Sequence, residues 1–294
     1  MGRPIFIAGP TASGKSAVAM EVARHLGGAI VSVDSMQVYR GMDLGTAKPS
    51  AEEQAAIRHH LIDITELTES YDAATFISQA QEAAAAEEQA IFCGGTGLYF
   101  QALLEGLGDA PRANAKIRAE LENTATKKMI EELAEKDPVT HGTIDLQNRR
   151  RLVRAVEVIR VTGEPFSEQR AEWTSQVPEG FFLVQREMED LRKRIEERVD
   201  QMFDTGLVDE TRALLPALEQ NRTASQALGY RQVIDHLRGE RDLPDTIALV
   251  KSRTWQFARR QQTWFRKLKG ATHLQVAAEE DPAATAHRIL DSLP

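Results

Sequence analysis

The sequence predicts an α/β fold, with a parallel sheet as its core and a helical insertion domain between two parts of that core. Short apolar runs alternate with segments of helical periodicity over the first hundred residues, which is the pattern of strands joined by crossover helices. Residues 9–16 read GPTASGKS, the spacing of a phosphate-binding loop between a strand and a helix. Together these observations indicate a P-loop NTPase-like core.

The strands of the predicted core are short apolar runs, and two helices lie among them. Because the carboxyl ends of parallel strands share one edge of the sheet, we expect the ligand crevice at that edge. The loop 9–16, Asp34 and the segment 94–96 all follow strands and should meet there. The predicted strands cover 4–8, 29–34, 60–64 and 89–95, and the predicted helices cover 17–26 and 73–88.

The strand signal stops from about residue 109 to residue 178, where the periodicity is helical. A strand returns at 181–185, and the rest of the chain is predicted to be mostly helical. We therefore expect a first core part (1–108), a helical insertion (109–178) and a second core part (179–294). The predicted helices of the insertion and the second core part cover 117–136, 147–163, 191–203, 208–219, 230–239 and 247–269.

The loop 9–16 has glycines where backbone N–H groups must converge on an anion, and a lysine that adds a positive charge. The N-terminus of the helix after the loop adds its partial positive charge. We expect the loop to bind a diphosphate-containing ligand, and Ser16 to ligate a Mg²⁺ ion shared with the phosphates. The loop alone leaves the ligand open. The expected diphosphate-binding residues are Gly9, Pro10, Thr11, Ala12, Ser13, Gly14, Lys15 and Ser16.

Composition restricts the class of protein. One cysteine excludes a disulfide framework and a cysteine-rich zinc module, and it is typical of a reducing cytoplasm. No secretory signal pattern and no apolar run of membrane-spanning length is found, so we expect a cytoplasmic protein without a membrane partner. The formal net charge of −8 argues weakly against a nucleic-acid partner, but the charge is unevenly distributed.

Basic residues concentrate in two helical segments. A charge run is usually a solvated helix face, and either segment alone would favour that interpretation. Two such segments together with a phosphate site favour a polyanionic partner. The first segment contains Arg149, Arg150, Arg151, Arg154 and Arg160, and the second contains Lys251, Arg253, Arg259, Arg260, Arg266, Lys267 and Lys269.

Three further stretches, taken with the phosphate loop, resemble the bacterial tRNA dimethylallyltransferase family. They are DSMQVYRGMDLGTAKP (34–49), GGTGLYFQAL (94–103), and the late pair QALGYRQ (226–232) with ARRQQTWFR (258–266). The resemblance extends from about residue 4 to residue 269. It implies that the loop holds the diphosphate of dimethylallyl diphosphate, that no nucleoside triphosphate is consumed, and that Mg²⁺ assists. The implied reaction prenylates the 6-amino group of the adenosine immediately 3′ of the anticodon, in a cytoplasmic enzyme that we expect to be a monomer.

The resemblance also implies roles for residues of the crevice. Asp34 matches the catalytic aspartate of the family, a general base toward the adenine amine, whereas a metal or water ligand or a turn cap is the alternative from the residues alone. Thr96 matches a threonine near the diphosphate or the base, and a helix N-cap is its alternative. Arg231 matches an arginine that reaches the diphosphate, and a surface arginine is its alternative. The implied catalytic residues are Asp34, Thr96, Lys15 and Arg231.

Contacts with tRNA are implied on the crevice and on the insertion, which would form a lid over the RNA. The target adenosine must leave its stack before its amine can react, so base flipping is expected. The implied tRNA-binding residues are Asp34, Ser35, Met36, Gln37, Thr96, Gln147, Asn148, Arg149, Arg150 and Arg151. The chain departs from the family pattern in two places: it reads IDLQNRRRLVR where His/Asp-Pro-Asn precedes the basic run, and Trp255 and Arg259 stand where arginine and lysine are commoner.

Three alternatives use the same loop. An adenylate isopentenyltransferase would prenylate free AMP, ADP or ATP, and the two basic segments and the insertion disfavour it. A P-loop kinase for a small molecule would release ADP from ATP. A GTPase-like RNA-binding switch is disfavoured because the chain has no N-K-x-D guanine-reading motif.

Overall fold

The computed structural model describes residues 2–293 and contains a six-stranded sheet in which every neighbouring pair is parallel. The strands are β1 (Ile5–Ala8), β2 (Ala29–Val33), β3 (His59–His60), β4 (Ala90–Gly94), β5 (Phe181–Gln185) and β6 (Thr272–Gln275). Their order across the sheet is β3-β2-β4-β1-β5-β6. The predicted α/β fold with a parallel core is confirmed.

Helices surround the sheet and build the rest of the chain. They are α1 (Lys15–Leu26), α2 (Ala51–Ala56), α3 (Ala73–Ala85), α4 (Gly97–Glu105), α5 (Ala115–Glu122), α6 (Thr126–Lys136), α7 (Pro138–Thr143), α8 (Arg149–Thr162), α9 (Phe166–Gln169), α10 (Met188–Asp204), α11 (Leu207–Leu218), α12 (Tyr230–Leu237), α13 (Leu243–Phe265) and α14 (Pro282–Leu290), with a 3₁₀ turn at Ala224–Gln226. Within residues 2–293, no helix combines the length and the apolar composition needed to cross a bilayer.

β1 lies inside the sheet, and all four of its residues are buried. On one side of the strand, Phe6 stacks between Phe92 and Phe181 with ring centroids 5.0 and 5.6 Å apart. On the other, Ile5 and Ile7 belong to an apolar cluster shared with α1 and α14. Because both faces of β1 are packed, the loop that follows it starts from a rigid support.

The described residues divide into two compact units, one formed by residues up to 103 with those from 175 onward, and the other by 104–174. The smaller unit has its own apolar core on α5, α6 and α8. Its fully buried Glu157 accepts hydrogen bonds from the Asn114 backbone N–H (2.7 Å), Arg118 (2.9 Å) and Arg154 (3.1 Å). The assignment of this region as a tRNA-binding lid stays a prediction.

The secondary structure differs from the prediction in several elements. The predicted strand 60–64 was wrong beyond His60, because the chain turns at Leu61 and Asp63 (φ 63° and 53°). Asp63 N–H donates to the Gln37 carbonyl instead of extending β3. The single helix predicted over 117–136 is two helices, α5 and α6. The sequence analysis did not predict β6 or the helices α2, α7, α9 and α14.

Candidate active site

The loop 9–16 connects β1 to α1 and presents free backbone donors. Ala12 and Gly14 have left-handed backbone angles (φ 64° and 92°), which turn the chain sharply before the helix. Among the described residues, no hydrogen bond occupies the N–H groups of Gly14, Lys15 and Ser16. Lys15 Nζ donates to the Pro10 carbonyl at 3.2 Å. The loop can therefore bind an anion through three amides and one ammonium group.

The charge of Lys15 is influenced by three neighbours. Burial lowers the pKa of its ammonium group, and the positive Arg198 lowers it further, while Cys93 and Asp34 oppose the shift. The buried thiol of Cys93 has its pKa raised to about 11, mainly by burial, so it stays protonated and has no nucleophilic role at neutral pH. Because β1 and β2 flank β4 in the parallel sheet, the phosphate loop after β1 and Asp34 after β2 lie at the same edge of the sheet.

Asp34 follows β2 and is fixed through one of its two oxygens. Its Oδ1 accepts hydrogen bonds from the backbone N–H groups of Met36 (2.8 Å) and Gln37 (3.3 Å). Oδ2 has no hydrogen-bond partner in the described part of the chain, and the residue is half-buried. The turn-cap alternative is therefore realised by Oδ1, while Oδ2 is available to accept a proton or a ligand.

Thr96 follows β4 and contacts the Asp34 loop. A Cβ at Gly94 would lie 2.1 Å from the Val33 carbonyl oxygen, so the ends of β2 and β4 approach as closely as glycine allows. Across this contact the Ser35 backbone N–H donates to Thr96 Oγ1 at 3.3 Å. No hydrogen bond from the backbone of α4 to this hydroxyl is found in residues 2–293. The structure thus brings Asp34, Ser35 and Thr96 together, as the sequence predicted.

The segment 34–49 is tied down by its own side chains. Gln37 accepts from Ser32 Oγ (2.8 Å) and donates to the Thr46 and Ala47 carbonyls (3.2 Å each). The side chain of Lys48 is 3% exposed. It donates to the Tyr39 carbonyl (3.0 Å) and pairs with Asp43 and Asp63 at 2.5 Å. These bonds fix the loop that carries the Asp34 turn.

Helices α11 and α12 hold the same segment from outside, but they do so without Arg231. Leu44 N–H donates to Glu210 at 2.9 Å, and Gly45 N–H donates to the Tyr230 hydroxyl at 3.2 Å. Arg231 is exposed and hydrogen-bonds to Gln226. In the described residues no hydrogen bond or ion pair joins Arg231 to the phosphate loop, so its contact with diphosphate stays a prediction.

Four residues that contact the phosphate loop were missed by the sequence analysis. Arg186 Nε donates to the Ser13 carbonyl (2.9 Å) and Arg194 Nε to the Ala12 carbonyl (3.1 Å), while Arg198 donates to Thr11 Oγ1. Gln261 accepts from Thr11 N–H and donates to the Gly95 carbonyl, both at 2.9 Å. Arg194 and Arg198 lie four residues apart on α10, each directly before a buried residue (Ile195 and Val199).

Arg198 places a positive charge beside the phosphate loop, and the residue is half-buried. Burial and repulsion by Arg194 lower its pKa to about 10, while the attraction of Asp34 opposes this shift. Its Nε is buried without a hydrogen-bond partner among residues 2–293. A guanidinium group with a buried, unused N–H, close to Asp34, is suited to an anionic ligand.

The basic segment of α8 contains two kinds of arginine. Arg149 donates to the carbonyls of Leu121 (3.1 Å), Glu122 (2.8 Å) and Thr124 (2.9 Å) and to Thr126 Oγ1 (2.7 Å). It therefore closes the turn between α5 and α6.

Arg150 and Arg151 are exposed, and neither side chain has a hydrogen-bond or ion-pair partner among the described residues. The remaining predicted residues shape the start of α8: Asn148 caps the helix by accepting from Arg151 N–H (3.3 Å), and Gln147 N–H donates to Asp145 (3.0 Å). Contact of this segment with tRNA stays a prediction.

Most of the second basic segment lies on α13, while Arg266, Lys267 and Lys269 follow the helix. A surface hollow is lined by Gln256, Arg259, Arg260 and Thr263, which share one exposed face of the helix. The guanidinium of Arg260 lies 5.9 Å from the ring centroid of Phe257, which is 38% exposed. This face presents cations and an aromatic ring to solvent.

The described residues contain no group of three or more His, Cys, Asp or Glu side chains placed to hold a metal ion. Mg²⁺ commonly takes most of its ligands from a bound phosphate group and water. The exposed Ser16, in the first turn of α1, is suitably placed to add one protein ligand.

Comparisons with known proteins agree with one another. A family model described as IPP transferase matches residues 37–268. The tRNA dimethylallyltransferase 1 of Trichlorobacter lovleyi is 42% identical over 297 residues, which cover 97% of this chain and 96% of that protein. The full-length tRNA isopentenylpyrophosphate transferase of Bacillus halodurans is 34% identical, with a TM-score of 0.71 over 99% of this chain and 95% of that chain. A eukaryotic dimethylallyltransferase acting on tRNA is 26% identical, with a TM-score of 0.77 over 94% of this chain and 74% of that chain.

Proposed function

This chain belongs to the IPP transferase family, and from that premise we propose that it transfers a dimethylallyl group from dimethylallyl diphosphate to tRNA. The acceptor is the 6-amino group of the adenosine immediately 3′ of the anticodon. One observation carries the proposal: a loop with three free amides and Lys15 faces the same crevice as Asp34 and Thr96. An anionic leaving group and a proton acceptor are thereby placed side by side.

The phosphate loop stabilises the leaving group. When the allylic carbon–oxygen bond breaks, its electron pair stays on the diphosphate, whose negative charge increases. The free amides of Gly14, Lys15 and Ser16, the ammonium group of Lys15 and the guanidinium of Arg198 are positioned to neutralise that charge. A Mg²⁺ ion held by Ser16 and the phosphates would add further positive charge when bound.

Asp34 accepts the proton that the adenine amine releases. The nitrogen forms a bond to the allylic carbon as the carbon–oxygen bond breaks, and the amine then carries one proton too many. The free Oδ2 of Asp34 is the acceptor, while Oδ1 keeps the loop in place through its two backbone hydrogen bonds. Thr96, held by the Ser35 N–H, positions the base beside Asp34.

Affinity for tRNA comes from local positive charge, because the chain as a whole carries a formal charge of −8. Exposed cations occur on α8, at Arg150 and Arg151, and on α13, at Arg259 and Arg260. Extruding the target adenosine costs unstacking energy, which these phosphate contacts offset. We further propose that the protein acts as a monomer in the cytoplasm, in keeping with its single buried cysteine.

The test is a transfer assay with defined acceptors. The purified protein is incubated with dimethylallyl diphosphate, Mg²⁺ and an anticodon stem–loop RNA, and the RNA is analysed by mass spectrometry. We expect one dimethylallyl group on the adenosine 3′ of the anticodon and none on a stem–loop with guanosine at that position. Transfer to AMP but not to the stem–loop would favour an adenylate isopentenyltransferase, and release of ADP from ATP with a small acceptor would favour a kinase.

A further inference from the structure

We propose that Arg194 and Arg186 are positioning residues that hold the phosphate loop in its donor-binding conformation. Neither residue is needed to contact the donor itself: each acts through a loop carbonyl on the side away from the free amides. The inference rests on the proposed function, because it concerns the site that binds the diphosphate of the prenyl donor.

The two arginines fix two successive peptide planes. Arg194 Nε donates to the Ala12 carbonyl at 3.1 Å, and Arg186 Nε donates to the Ser13 carbonyl at 2.9 Å. In a planar trans peptide the carbonyl of one residue and the N–H of the next point in opposite directions. Holding the Ser13 carbonyl toward Arg186 therefore directs the Gly14 N–H away from it, where it is free for an anion.

The loop needs this support because its conformation is intrinsically unfavourable. Ala12 has a φ of 64°, in the left-handed region that costs roughly 1–2 kcal/mol for a residue with a Cβ. The backbone hydrogen bond across the turn is long, from Ser13 N–H to the Pro10 carbonyl at 3.3 Å. A charge-assisted bond to the Ala12 carbonyl offsets the backbone strain.

The two arginines lie on one side of the loop. A cavity of about 100 Å³ beside the loop is lined by Arg186 and Arg194 together with Ser13 and Gly14. A cavity leaves fewer packing contacts to fix the backbone next to it. The hydrogen bonds from the arginines therefore supplement the packing on this side of the loop.

Arg194 is the better residue for an experiment. Arg186 is 6% exposed and also bonds Asp190 (2.8 Å) and the carbonyls of Ala277 (2.9 Å) and Ala278 (3.2 Å), so its removal would damage the fold. Arg194 is only half-buried and lies on the stable helix α10. Arg192 on the same helix is a matched control, because it is exposed and, within residues 2–293, pairs only with Glu196 (2.9 Å).

The first measurement compares Arg194→Met with Arg192→Met. Binding of inorganic diphosphate with Mg²⁺ is measured by calorimetry, and KM is determined for dimethylallyl diphosphate and for the stem–loop. We expect Arg194→Met to weaken diphosphate binding roughly 10-fold, the effect of one lost charge-assisted hydrogen bond, with the RNA KM unchanged. Arg192→Met should behave as the wild type. Diphosphate binding equal in both variants, or a parallel loss of RNA binding, would overturn the inference.

The second measurement separates positioning from simple charge attraction. Ala12→Gly relieves the left-handed strain without changing any charge. If Arg194 holds that conformation, Arg194→Met should reduce diphosphate affinity by a smaller factor in the Ala12→Gly background than in the wild type. An equal cost in both backgrounds would show that only the charge matters and would reject the positioning role. Failure of the wild type to prenylate RNA would instead reject the proposed function, whatever the variants do to diphosphate binding.

Discussion

Arg150 and Arg151 offer the sharpest test of RNA binding by the smaller unit. Both side chains are exposed and without partners among the described residues, so Arg150→Met/Arg151→Met removes two charges and no internal contact. Arg149 differs, because it makes four hydrogen bonds that close the α5–α6 turn. A variant that includes Arg149 would mix a lost RNA contact with a structural defect.

The size of the effect follows from the number of phosphates released. Each phosphate contact with a single strand contributes about 0.7 to the slope of log affinity against log salt. If Arg150 and Arg151 each contact one phosphate, the slope should flatten by about 1.4 in the double variant. The loss of affinity should be largest at low salt and should shrink as salt rises.

Fluorescence anisotropy of a labelled anticodon stem–loop across a salt series measures that slope. Lys127→Met/Lys128→Met is the control, because it removes the same formal charge from exposed positions on α6. Affinity for dimethylallyl diphosphate should be unchanged in both variants. An unchanged slope in the arginine variant, or equal flattening in the lysine variant, would refute a specific RNA contact by the start of α8.

Three further predictions concern the larger unit. Asp34→Asn keeps an oxygen that can accept from the two backbone N–H groups. Donor binding should stay intact while single-turnover rates fall roughly 10²–10⁴-fold. A parallel loss of donor binding would indicate that Asp34 is a metal or water ligand instead. Gly45→Ala places a Cβ 2.3 Å from Cε2 of Tyr230 and should therefore lower the free energy of unfolding by about 1–3 kcal/mol. Urea titration measures this change, and an unchanged unfolding midpoint would contradict the close packing. Burial lowers the pKa of Lys15, so its charge is lost as pH rises through that lowered value. Affinity for dimethylallyl diphosphate should therefore fall at a pH below the pKa of an ordinary lysine, and a flat affinity profile over that range would contradict this.

Local patterns were sufficient to predict four of the six strands and the crevice. The apolar runs at β1, β2, β4 and β5 are strong signals, because each is buried along nearly all of its length. The meeting of the Asp34 loop and Thr96 followed from parallel topology alone, since Asp34 comes directly after β2 and Thr96 lies two residues after β4.

The missed elements lack such signals. Only one of the four residues of β6, Leu274, is buried, so its sequence is typical of a polar loop. Its pairing with β5 is what identifies it as a strand. The arginines of α10 look alike in the sequence, because basic and acidic residues alternate regularly along this helix. Arg192 pairs with Glu196 on the surface, whereas Arg194 and Arg198 contact the phosphate loop. Only the direction in which the helix packs distinguishes these residues, and direction is a tertiary property.

The contacts that hold the phosphate loop also determine when a growing chain becomes able to bind its donor. Residues 9–16 are synthesised early, but Arg186, Arg194, Arg198 and Gln261 follow their loop partners by 173, 182, 187 and 250 residues. A nascent chain that has released β1 to β4 therefore contains the complete motif without the side chains that shape it. A ligand stabilises only the states that bind it. In a cell the prenyl donor therefore stabilises the folded full-length chain, and it does not stabilise nascent chains that end before α13.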